Sequence, residues 1–116
     1  MTIAREDVDA GRIDFFDIGE PEADPVPVPT PGAILQDMLA ERKVTAYALA
    51  KAMGVPGNRV LAVLAGKRAV TADTALRLGK ALGTSADMWM TLQAAYDLDA
   101  VRRAGVGKDV TELAVA

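Results

Sequence analysis

Between Thr45 and Gly66, small and apolar residues fall at offsets that a particular pair of short helices requires. Two helices crossing at a fixed angle need a small residue where they touch. They also need a turn residue free to adopt left-handed backbone and a buried β-branched residue in the second helix. Counting from Ala46, the contact residue is Ala50, the turn glycine is Gly54 and the β-branched residue is Val60. Leu49, Met53, Val55 and Val63 fill the other positions that must be apolar. The segment reads as a helix-turn-helix, with an ordinary αα-hairpin of a helical bundle as the competing reading.

Helix punctuation continues on both sides. A first helix is expected from about Pro31 to Arg42, where Ile34, Leu35, Met38 and Leu39 make one apolar stripe. Thr45 caps the second helix and Gly54 ends it; its apolar face holds Leu49, Ala50 and Met53. Pro56 opens the third, with Val60, Val63 and Leu64 inward and Gly66 as the stop. Thr71 caps a fourth, favoured by Asp73 in its first turn, with Ala75, Leu76, Leu78 and Leu82 inward and Gly83 at its end. Ser85 caps a fifth that carries Met88, Trp89, Leu92, Ala95 and Tyr96 to about Arg103, with Trp89 and Tyr96 expected in the core. The fold expected is all-α, a five-helix DNA-binding domain over residues 31–103.

Ahead of it, residues 1–30 read as an acidic arm and linker, and residues 104–116 as a C-terminal tail. Five of the six prolines lie between Pro21 and Pro31, a spacing that favours extended polyproline II over helix. The stretch Arg12-Ile-Asp-Phe-Phe-Asp-Ile18 gathers both phenylalanines among acids. It is open between a strand-like binding segment, a patch that packs on the domain, and disorder.

The formal net charge of −3 hides a strong asymmetry. Residues 1–29 carry eight acids against two bases, whereas residues 42–80 carry eight bases against Asp73 alone. The second stretch has the sign of a phosphate-facing surface. Without cysteine or histidine, the chain has no thiolate or imidazole for a metal, a disulfide or imidazole catalysis. No cofactor, metal site or catalytic residue is expected. Neither a signal peptide nor a membrane span is expected, so the expected compartment is the cytoplasm.

With Val60 and Val63 inward, the exposed start of the second helix of the unit falls to Gly57, Asn58, Arg59, Leu61 and Ala62. Asn58 can pair with adenine and Arg59 with guanine, or either can hold phosphate, and Arg59 has the further reading of a solvated charge. Leu61 and Ala62 offer apolar contact to a thymine methyl. Lys67 and Arg68 form a basic turn suited to the DNA backbone, and Thr45 is a further phosphate contact.

The residues Pro31-Gly-Ala-Ile-Leu35, Ala48-Leu-Ala-Lys-Ala-Met-Gly-Val-Pro56, Gly66-Lys-Arg68 and Thr71-Ala-Asp-Thr-Ala-Leu-Arg-Leu78 closely resemble HigA-type antitoxins of the lambda-repressor-like helix-turn-helix class. The likeness continues through Leu82-Gly-Thr-Ser85, Trp89 and Leu92-Gln-Ala-Ala-Tyr-Asp-Leu98, covering about residues 31–99. It implies a homodimer that represses its own operon at a palindromic double-stranded operator and neutralises a basic, HigB-like ribonuclease toxin of the RelE class. A stand-alone regulator without a toxin, and a protein-binding module that has lost DNA affinity, are the alternatives. The acidic arm lies outside the likeness, and its Ile13, Phe15, Phe16 and Ile18 are the candidate toxin contacts, with a solubilising tail or an arm that shields the protein's own basic face in the absence of DNA as the alternatives. The chain departs from the family at Ala46, where Gln is usual, and at Leu61 and Ala62, where Asn then Glu is usual. Those departures put sequence-specific operator binding in question.

Overall fold

The structure is a computed structural model and describes residues 26–114. The candidate toxin contacts Ile13, Phe15, Phe16 and Ile18 lie outside the described residues. The five expected helices are all present: α1 (Pro31–Arg42), α2 (Ala46–Met53), α3 (Gly57–Leu64), α4 (Ala72–Leu82) and α5 (Ala86–Arg103). No strand occurs among the described residues.

Each boundary has a local chemical cause. The hydroxyls of Thr45, Thr71 and Ser85 accept from Ala48 N, Thr74 N and Met88 N, satisfying amides that the first helical turn leaves without partners. Thr30 does the same for α1, with Pro31 as its first helical residue. Gly54 ends α2 at φ 73° and directs the chain into the turn, a backbone conformation that costs an L-residue with a Cβ. Helix α3 is the exception. Pro56 occupies its N-cap without a side-chain hydrogen bond, so α3 is held by its packing rather than by a cap.

The core is built from Leu35 and Leu39 of α1, Leu49, Ala50 and Met53 of α2, Val60 and Val63 of α3, Ala75, Leu78 and Leu82 of α4, and Trp89 of α5, with Val70 from the loop before α4. Trp89 has no exposed surface, and its indole Nε1 donates to Thr84 Oγ1 at 2.8 Å, so the large ring is buried without orphaning its N–H. Helices α1 and α3 meet closely. A Cβ on Gly32 would lie 2.0 Å from the Val63 carbonyl oxygen, so only glycine lets the start of α1 press against the end of α3.

Three inward assignments from periodicity do not hold. Leu76 is 55% exposed, because α4 buries the face of Ala75, Leu78 and Leu82 and turns Leu76 to the side. Ala95 is exposed as well, while the polar Gln93 is buried in its stead. The Gln93 carboxamide is held through both of its polar atoms, since Oε1 accepts from Val70 N at 2.7 Å and Nε2 donates to Asp97 at 2.9 Å. The amide of the loop into α4 is thereby satisfied inside the protein. Tyr96 is half-buried and not a core residue of the Trp89 kind.

Candidate nucleic-acid interface

Helices α2 and α3, joined by the Gly54 turn, carry the surface that would face a nucleic acid. Val60 and Val63 anchor α3 to the core, and the residues between them rotate outward by about 100° per step. Asn58 is exposed, Leu61 is 41% exposed and Ala62 is half-buried. Neither α2 nor α3 contains a carboxylate. Thr45, at the start of α2, is exposed, and its hydroxyl oxygen accepts from Ala48 N.

Lys67 and Arg68 are both exposed on the turn that follows α3. Their backbone amides both return to the Ala62 carbonyl, at 2.9 and 3.2 Å, with Gly66 at φ 75° making the reversal. The two cations are thus presented from a turn tied to α3 rather than from a loose loop.

Arg59, read from the sequence as a base or phosphate contact or a solvated charge, is paired within the protein. Its guanidinium Nη2 donates to Asp73 at 2.5 Å and to Thr74 Oγ1 at 2.9 Å, and its side chain is only 19% exposed. Arg59 therefore joins α3 to the first turn of α4. Asp73 is shared: Arg77 Nε donates to it at 3.1 Å, and Arg77 Nη1 reaches the Met53 carbonyl at the end of α2, at 2.8 Å. The Arg59 hydrogen bond, opposed by burial and reinforced by Arg77, holds the Asp73 carboxyl below its ordinary value. One carboxylate thus ties the two sides of the inter-helix turn, the start of α3 directly and the end of α2 through Arg77, to α4.

Sequence spacing could not reveal this, since Asp73 and Arg59 lie fourteen residues apart. It also alters the charge inventory. Arg42 Nη1 donates to the Leu82 carbonyl at 2.7 Å, so Arg42, Arg59 and Arg77 all serve the fold. Lys43, Lys51, Lys67, Arg68 and Lys80 are the exposed cations left in the basic stretch.

A residue that the sequence pattern did not single out completes the surface. Tyr47, in the first turn of α2, is 65% exposed, and its ring lies over Gly57, the first residue of α3. A Cβ on Gly57 would fall 2.4 Å from two of its ring carbons. A glycine inside a helical first turn, opposite an aromatic in the preceding helix, was the available sequence signal.

Among the described residues no group of three or more acidic residues could hold a metal, and no helix is long and apolar enough to cross a membrane.

Comparison with known proteins places this geometry. The helix-turn-helix family model matches residues 35–89. Virulence-associated protein I of Dichelobacter nodosus is 42% identical over 74 residues, covering 63% of this chain and 68% of that protein. An addiction module antidote protein of the HigA family from Coxiella burnetii is 42% identical with a TM-score of 0.68, over 76% of this chain and 100% of that one. The chain belongs to the HigA family of helix-turn-helix proteins. The Pseudomonas aeruginosa antitoxin HigA, solved with the higBA promoter, superposes with a TM-score of 0.70 at 34% identity, covering 75% of this chain and 99% of that one. For this HigA-family chain, the resemblance read over about residues 31–99 and the five-helix fold class are both borne out.

Proposed function

We propose that this HigA-family protein is the antitoxin of a type II toxin-antitoxin system, repressing its own operon by binding double-stranded operator DNA. The observation that carries the reading is a carboxylate-free surface on α2 and α3 beside a basic turn pinned to α3. A relative with the same fold has been solved with promoter DNA. Asn58 has the chemistry to read a base edge, and Leu61 and Ala62 offer apolar contact. Lys67 and Arg68 hold the backbone, and the Thr45 hydroxyl donates to a phosphate. Arg59 acts at one remove, setting the angle of α3 through Asp73 and Thr74.

Operator symmetry calls for a homodimer. Met90, Ala94, Leu98 and Val101 lie along one side of α5, all exposed, and form the candidate contact between copies. The domain of residues 31–103 carries the DNA surface. The acidic arm of residues 1–30 contacts a basic HigB-like ribonuclease toxin through Ile13, Phe15, Phe16 and Ile18, which supply apolar area within a negative field. Residues 104–116 form the tail. The protein works in the cytoplasm, where operator and toxin are both found, and no catalytic role falls to it.

Co-expression with the neighbouring reading frame tests the antitoxin role. A basic protein should co-purify, and its lethality alone should be relieved by this chain. A harmless neighbour that does not bind would leave a stand-alone regulator, a reading favoured by the 37% identity to an uncharacterised helix-turn-helix transcriptional regulator of Escherichia coli. Deleting residues 2–29 tests the arm, because unchanged toxin affinity would remove it from the interface.

A further inference from the structure

We infer that Tyr47 and Leu61 form one apolar edge that reads thymine methyl groups in the major groove, an inference that rests on the DNA-binding reading and gives it a sequence preference. Both side chains offer apolar surface to solvent: Tyr47 is 65% exposed and Leu61 41% exposed. They belong to different helices, yet the backbone places them together. The Tyr47 ring lies over Gly57, where an added Cβ would be 2.4 Å from two ring carbons. Gly57 and Leu61 are one helical turn apart on the same face of α3. The ring, the glycine and the leucine therefore run along one ridge, with exposed Asn58 beside it.

Charge selects the occupant. Lys51 is exposed and lies one turn beyond Tyr47 on α2, while α2 and α3 hold no acid to repel a polyanion. A protein docking on this ridge would have no need of so one-sided a rim, whereas DNA presents phosphates on either side of an apolar feature. That feature is the thymine C5 methyl, the apolar mark a base pair displays in the major groove. With Arg59 turned to Asp73 and Thr74, α3 has no exposed cation to favour guanine, and the readout shifts toward A·T pairs, with Asn58 suited to adenine. Glycine at position 57 is part of the device, since any side chain there would lift the ring off α3.

The test uses the full chain and a promoter fragment in which thymines are replaced one at a time by deoxyuridine, which removes the methyl and leaves pairing intact. At one or two positions per half-site, affinity should fall about four-fold, the change expected for losing one buried methyl contact. Leu61→Ala should abolish the penalty at one of these positions and Tyr47→Ala at the adjacent one, whereas Tyr47→Phe should retain it. Equal affinity for every substituted fragment would overturn the inference while leaving DNA binding intact. Failure to bind any promoter fragment would overturn both. If Leu61→Ala left DNA affinity unchanged but lost a co-purifying protein, the ridge would be a protein contact and the inference wrong.

Discussion

Arg59 and Asp73 are joined across the junction between α3 and α4, with Thr74 as the second acceptor of the same guanidinium nitrogen. An arginine on a helix expected to read DNA is thereby committed to orienting that helix. Because Asp73 also takes Arg77, whose other donor reaches the Met53 carbonyl, the angle between α2 and α3 depends on a carboxylate outside both. Arg59→Ala should lower the melting temperature by about 5 °C or more and weaken DNA binding through loss of helix orientation. Unchanged stability together with a lost base preference would instead make Arg59 a contact residue.

The same carboxylate sets an acid limit. Asp73 is held below its ordinary value of 3.8, first by the Arg59 hydrogen bond, and Asp99 is lowered likewise, first by its hydrogen bond to Arg103. A carboxylate lowered in the folded state stabilises the fold above its unfolded value, and the benefit disappears as pH falls through the folded one. Thermal melts should change little through neutral pH, where no histidine titrates, and fall off at and below pH 3.8. Asp73→Asn should flatten that acid limb while lowering stability at neutral pH.

Much of the fold was legible because its signals are local. Thr45, Thr71, Ser85, Gly54 and Gly83 each mark a helix end through a hydroxyl or a left-handed backbone that neighbouring residues reveal. The interface was less legible, since its decisive relationships join residues far apart in sequence. Helical periodicity places Arg59 outward, next to buried Val60, and only the approach of α4 supplies Asp73. Leu76 looks like a core residue by composition, yet among the described residues nothing covers its side of α4 and it stays exposed. Gln93 looks like a surface residue until Val70 N is seen to need an acceptor.

Gly32→Ala and Gly57→Ala should separate fold from function. The first would drive a Cβ to 2.0 Å from a backbone oxygen of Val63, and should cost about 1–3 kcal/mol in denaturant melts. The second meets only the exposed Tyr47 ring, and alanine favours a helix over glycine, so stability should hold or rise slightly. Promoter affinity should nonetheless fall as the ring is displaced.

Gln93→Leu should leave Val70 N without its acceptor and cost about 1–3 kcal/mol, despite replacing a polar residue with an apolar one in a buried place. Retained stability would mean that water reaches this amide and that the Gln93 contact is dispensable.

DNA binding itself is measured most directly by titrating the chain's own promoter fragment over a range of salt concentrations, comparing the native protein with the Lys67→Ala, Arg68→Ala double variant. The native protein should prefer the promoter over unrelated DNA, with affinity falling steeply as salt rises, and the variant should reduce that salt slope by about 2. An unchanged slope, or equal binding to unrelated DNA, would contradict operator recognition through α3 and its basic turn.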